Sequence, residues 1–174
     1  MKKQTAFLIP IIGLTEGVHE YRFEIDAAFF EAYEDSKITE GDITVDLELD
    51  KRAGHIDLDF KVSGTTRVQC DRCLDDFNLP LDFEESLVLK YSEEEKEDYE
   101  VVYIKRDRDV FDVSQFIYEF IHLAVPMVRT HDMAGQECNP DMMDILDANE
   151  YDQSESDENL ANSAWSALKD IKLD

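Results

Sequence analysis

The stretch Ile43-Thr44-Val45-Asp46-Leu47-Glu48-Leu49-Asp50-Lys51-Arg52-Ala53-Gly54-His55-Ile56-Asp57-Leu58-Asp59-Phe60-Lys61-Val62 alternates apolar and polar side chains on both sides of a short interruption. A period of two puts all the apolar residues of each half on one face of an extended chain. Arg52-Ala53-Gly54 supplies the turn, so the halves pair as an antiparallel hairpin with one apolar and one acidic face. The same pattern spreads outward. Gly64 permits a bend or bulge before Thr65 to Gln69 carries the chain on. Leu79, Leu81 and Phe83, then Leu87 and Leu89, fit further strand beyond a loop. Upstream, Tyr21, Phe23 and Ile25 alternate within Glu20 to Asp26, and the apolar residues of 4–11 suit a packed or edge strand. Glu93 to Glu100 is mostly acidic and projects into solvent, because like charges at that density oppose compaction. Val101 to Ile104 returns to the sheet.

Helical signals are fewer. Phe29, Phe30 and Tyr33 sit at short helical spacing after Asp26, a side chain suited to accepting free backbone N–H groups, so a brief helix or turn is expected there. Val113, Phe116, Ile117, Phe120, Ile121, Ala124 and Val125 form an apolar stripe at intervals of three and four, with Asp112 as cap and Pro126 as stop. Such a stripe belongs to a helix laid across a sheet. The fold class is α+β: a mainly antiparallel β-sheet with a packed helix and a short C-terminal helix. Residues 1–146 form the α+β domain with a cysteine-bearing loop, 147–160 an acidic linker, and 161–174 a helix whose Trp165, Leu168 and Ile171 dock in cis or bind a partner.

With 42 acidic against 17 basic residues, the formal charge is −25. Such a field repels phosphate except at a local basic face, whereas basic protein surfaces suit it as partners. Ala6 to Leu14 is too short to cross a bilayer and lacks a secretory cleavage context, so a cytoplasmic chain with no membrane partner is expected. There is no Gly-rich phosphate cradle and no Ser-His-Asp constellation, which argues against a conventional enzyme.

Cys70-Asp71-Arg72-Cys73 is the chemically distinctive segment. Two residues between cysteines let both sulfurs turn to one ion; Cys138 offers a third ligand and His131 a fourth, and Cys70, Cys73, His131 and Cys138 together make a structural zinc set. Other readings stay open. His131 also suits a loop hydrogen bond, Cys138 a small apolar packer, and His122 an alternative fourth ligand. A redox pair would use Arg72 to favour a thiolate, but the surrounding pattern is strand–turn–strand instead of strand-to-helix. Arg67, Arg72 and Arg129, with Lys105, Arg106 and Arg108, are candidate contacts to RNA if they converge; their plainer role is to balance neighbouring carboxylates.

The run Val62-Ser63-Gly64-Thr65-Thr66-Arg67-Val68-Gln69-Cys70-Asp71-Arg72-Cys73-Leu74 resembles the central signature of the DUF177/YceD family. The resemblance continues through the Asp112–Pro126 segment, the His131/Cys138 region and Trp165-Ser166-Ala167-Leu168. It implies a non-enzymatic factor supporting large-subunit ribosomal RNA accumulation or ribosome assembly. A ribosomal protein or large-subunit precursor is the implied partner, with direct ribosomal RNA contact at Arg67, Arg72 and Arg129 as a narrower version. Members of that family often carry two cysteine pairs. Here Asn139, Pro140 and Asp141 follow Cys138, so the second pair is incomplete and a mixed cysteine–histidine set remains. The competing functions are a metal-dependent RNA-processing enzyme and an acidic interaction module unrelated to ribosomes.

Overall fold

The computed structural model describes residues 5–34, 36–98 and 101–148. After a short 3-10 helix (Thr5–Phe7), the elements run β1 (Leu8–Pro10), β2 (Gly17–Ile25), α1 (Ala27–Glu31), β3 (Gly41–Lys51), β4 (His55–Gln69), β5 (Asp76–Tyr91), β6 (Lys96–Asp98), β7 (Val101–Ile104), β8 (Val110–Asp112), α2 (Ser114–Ala124), a 3-10 turn (His131–Ala134) and α3 (Pro140–Ala148). Six strands make one sheet in the order β2-β3-β4-β5-β7-β6, and β1 pairs with β8 in a separate two-stranded sheet. The chain divides after Cys138 into two units, and α3 belongs to the second. Beyond Ala148, the expected acidic linker and the expected helix over 161–174 lie outside the described residues. No helix among the described residues is long and apolar enough to cross a membrane.

The hairpin forms where its alternation requires. β3 and β4 pair antiparallel from Lys51↔Ile56 to Gly41↔Thr66. Ile43, Val45, Leu47, Leu49, Ile56, Leu58, Phe60 and Val62 are all buried on one face. Each contributes roughly 1.5–3 kcal/mol through apolar burial. Phe120 of α2 meets Phe60 edge-on, with ring centroids 5.4 Å apart. Near the other edge, Phe7 stacks on Phe23 at 5.2 Å and touches Phe29 of α1 at 5.1 Å. One face of the sheet is thus the core, and the other carries the carboxylates.

The two expected aspartates both bond at helix starts, although the N-cap residue of α2 is Val113, one position after Asp112. Asp26 accepts the Phe29 backbone N–H at the start of α1. Asp112 accepts both the backbone N–H and the hydroxyl of Ser114, at 3.0 and 2.6 Å. Pro126 lacks the N–H that another turn would use, and Val125 is already extended.

Three details differ from the pattern-level reading. The apolar runs at 79–83 and 87–89 belong to one continuous strand, β5. β7 pairs parallel to it, and β6, from within the acidic run expected to project into solvent, pairs antiparallel with the outer side of β7. Gly64 makes no bulge: Ile43↔Gly64 lies inside an unbroken register. Its role is close approach. Gly64 has φ +148, and an added Cβ would overlap the Asp42 carbonyl oxygen and lie 2.6 Å from Ile43 Cα. Gly64→Ala is therefore expected to cost at least about 2 kcal/mol of stability. Gly54→Ala, whose Cβ would meet nothing within 4 Å, should shift stability by less than about 0.5 kcal/mol. Denaturant melts of the two variants check this contrast.

Candidate metal centre

The antiparallel ladder of β4 and β5 ends at Gln69↔Asp76, so residues 70–75 form a tight loop between neighbouring strands. Its backbone is internally bonded. Cys70 N–H donates to Asp75 O at 2.9 Å, and Leu74 N–H to Cys70 O at 3.0 Å. Leu74 holds φ +66, a left-handed conformation uncommon outside glycine. Arg72 N–H points at Cys70 Sγ from 3.4 Å. The turn brings Cys70 and Cys73 inward, and both are buried.

The other two candidate ligands arrive on the chain that returns from α2. Asp71 N–H donates to Arg129 O at 2.8 Å, and Arg129 N–H donates to Asp71 Oδ2 at 2.7 Å. This reciprocal pair ties the return chain to the cysteine loop two residues before His131. The 3-10 turn then closes on Gly135 at φ +65, with Gln136 N–H donating to His131 O at 3.0 Å. His131 is buried, its ring 4.7 Å from that of Phe77. Cys138 closes the group from a half-buried position.

Cys70 Sγ and Cys138 Sγ lie 3.8 Å apart, Cys73 Sγ and His131 Nδ1 3.4 Å apart, and all four ligand atoms fall within 4.8 Å of one another. A tetrahedral zinc ion bound by sulfur and imidazole nitrogen has S···S edges of ~3.8 Å and S···N edges of ~3.6 Å. The cluster is geometrically compatible with a structural zinc site. A 3.8 Å sulfur separation is far beyond the ~2.0 Å of a disulfide, and the three cysteines are free thiols. Burial alone pushes the Cys70 thiol up, but the backbone N–H groups of Cys73 and Arg72, together with His131, more than offset it and bring it to about 6. Cys138 moves the other way: burial raises it, and the adjoining sulfurs of Cys70 and Cys73 raise it further. One thiolate forms readily and the next resists, which is how crowded sulfurs behave until a cation joins them.

The competing readings find other places. His122 is not a ligand: its Nδ1 donates to Tyr118 O at 2.8 Å, its Nε2 lies 3.4 Å from Ser36 Oγ, and its ring packs tilted against that of Tyr118. No helix follows Cys70, so the strand–turn–strand reading of the cysteine pair holds. Of the three arginines singled out from the sequence, Arg67 and Arg129 line one cleft of about 820 Å³, whereas Arg72 lies outside it. Each already faces carboxylates. Arg67 bridges Glu40 and Asp76, both at 3.1 Å; Arg129 pairs with Asp71 at 3.2 Å; Arg72 approaches Asp132 at 4.0 Å. Lys105 and Arg106 border a different hollow, and Arg108 pairs with Glu95. The Asp71–Arg129 link was not legible in the sequence, since nothing in a C-x-x-C motif names a partner 58 residues away.

The carboxyl of Asp71 is held below its ordinary range, first by the Arg129 backbone N–H and then by the Arg129 side chain. A depressed carboxyl favours the tied structure above its unfolded titration, and that contribution disappears as pH falls through the folded value. Asp71→Ala should leave the sheet intact while raising hydrogen exchange at the Arg129 amide several-fold at neutral pH. Unchanged exchange there would remove Asp71 as the anchor of the return chain.

A family model described as "Large ribosomal RNA subunit accumulation protein YceD" matches residues 58–172, from within β4 past all four clustered ligands. No curated protein and no solved structure matches the chain. With well over half its length matched, the chain belongs to the YceD family of large ribosomal RNA subunit accumulation proteins, accessory factors of ribosome biogenesis and not catalysts.

Proposed function

We propose that this chain supports large-subunit ribosomal RNA accumulation as a zinc-stabilised binding factor whose direct partner is a basic ribosomal protein, free or in a precursor particle. The observation that carries the reading is the arrangement of charge on the solvent face of the sheet. Glu20 lies opposite Glu48, and Glu48 opposite Asp59, so three exposed carboxylates share one row across β2, β3 and β4. Directly opposed like charges destabilise a sheet. Carboxylates of the neighbouring rows have cationic partners: Arg22 pairs with Asp46, Arg52 is shared by Asp50 and Asp57, and Lys61 pairs with Glu84. A cationic partner relieves the unbalanced row, steers encounter and excludes polyanions. Direct RNA contact at Arg67, Arg72 and Arg129 has less support, because phosphate would have to displace carboxylates that already hold them.

Zinc, held by Cys70, Cys73, His131 and Cys138, fixes the cysteine loop and the return chain relative to each other. Four protein ligands leave no coordination position for a reacting water, so the ion is structural. Purified protein should contain one zinc per chain. Cys70→Ser or Cys73→Ser should abolish stoichiometric binding and lower the melting temperature, as chelation does for the native chain. Each bound thiol must give up its proton, so zinc affinity should fall as pH drops from 8. Cys138 causes the earlier decline, and protonation of Cys70 adds to it below about pH 6. Competition with a chromogenic chelator across that range measures both; pH-independent affinity would exclude thiolate ligation.

The partner assignment has a separate test. Tagged protein should retain large-subunit precursor particles in a salt-sensitive manner. Replacing Glu20, Glu48 and Asp59 by Lys should weaken retention at low salt by roughly tenfold or more and flatten its salt dependence. Absence of association by the native chain would reject the function proposed here. Association unaffected by the triple replacement would reject this face as the contact.

A further inference from the structure

The segment that leaves α2 has a surface unlike the rest of the molecule. Leu123 is 81 % exposed, Met127 96 % and Val128 63 %. Solvent exposure of three consecutive-turn apolar side chains beside Pro126 has no explanation in the fold, whose core is complete without them. They form a ridge between two depressions. Met127 and Pro126 line the cleft of about 820 Å³ together with Ile38 and Val68; Leu123 lines a hollow of about 300 Å³ with Leu81, Phe83, Asp82 and Glu85.

The ridge is held at both ends. Pro126 stops the helix and Val125 turns extended, which lifts 126–128 off the helix axis. Arg129 is then fixed to Asp71 through backbone and side chain. Met127 is displayed on a short arch anchored to the helix at one end and to the cysteine loop at the other, so little ordering entropy remains to be lost on contact.

We propose that this arch, Leu123 with Met127 and Val128, is the close-packing site for an apolar segment of the basic protein partner. The inference rests on the function proposed above and adds where the partner's apolar side chains sit. Charge selects that occupant. The basic residues of the cleft, Lys37, Arg67 and Arg129, are matched by Glu40 and Asp76 in the cleft and by Asp71 on Arg129. The cleft therefore balances three cations against three carboxylates, whereas the hollow beside Leu123 adds Asp82 and Glu85, so the net charge bordering the arch is negative. A second copy of this chain would bring an equal negative charge against it, and RNA a denser one. A basic protein is attracted by Asp82, Glu85 and the acidic surroundings, while Arg67 and Arg129 are already paired with carboxylates and do not oppose it. The arch also offers Met, Val and Leu instead of exposed aromatic rings, which suits aliphatic packing and not base stacking.

The test uses the full-length chain with Met127→Asp and Leu123→Asp, both at exposed positions, and a third form with Met127→benzoylphenylalanine for photocrosslinking. Three probes are compared: the salt-extracted protein fraction of large-subunit precursor particles, the deproteinised RNA of the same particles, and the chain alone. Retention of the protein fraction should fall roughly tenfold or more in each Asp variant, with zinc content and melting temperature unchanged. Position 127 should crosslink to an apolar residue of a basic polypeptide. Native-strength binding by both Asp variants, or crosslinks from position 127 to RNA or to a second copy, would overturn the proposal while leaving the functional reading in place. Failure of the native chain to bind the particles or their protein fraction would overturn both.

Discussion

The β4–β5 ladder is the constraint on which the remaining architecture rests. Its unbroken register from His55↔Lys90 to Gln69↔Asp76 delivers the two cysteines of the connecting loop to one end of the sheet. A slip of one residue would reverse every side chain on β5. Phe77, Leu79, Leu81, Leu87 and Leu89 would then face solvent, and Phe77 would leave the imidazole of His131. Burial of those apolar side chains fixes the register, and the register fixes the cysteine loop.

The cysteine loop in turn organises a part of the chain that has little regular structure. Between the end of α2 and Cys138, the only helical element is a single 3-10 turn. Its position comes from the Asp71–Arg129 hydrogen bonds, one to the backbone and one to the carboxylate, and from the cysteine–histidine cluster. A metal ion is well suited to such a place, because a few strong bonds replace the large apolar contact that a short segment is unable to provide. The exposed arch at 123–128 is a consequence of the same arrangement, since its far end is tied to the loop.

Negative charge and fold coexist because the sheet has two distinct faces. Aliphatic and aromatic side chains fill the inner face; carboxylates occupy the outer one, where water screens them. The rows on either side of Glu20–Glu48–Asp59 carry arginine or lysine against their carboxylates, and that row does not. Stability comes from the inner face, and the outer face is left to determine which molecules approach.

Period-two alternation, a helical stripe and a C-x-x-C loop are local properties, so the sequence by itself determined the hairpin, α2 and the paired cysteines. Backbone geometry turns such patterns into elements with few alternatives. The same locality limited the reading at Gly64, where a bend and a close cross-strand approach look alike until Asp42 is placed opposite. It also left His131 and Cys138 as two candidates among several, and gave no hint that α3 begins directly after them. Only the tertiary structure decided that Cys70 meets Cys138, that Arg129 anchors to Asp71, that β7 joins parallel to β5, and that Met127 stands in solvent. Each depends on where distant segments cross, and that is set by packing summed over the whole core, a quantity that no local stretch contains.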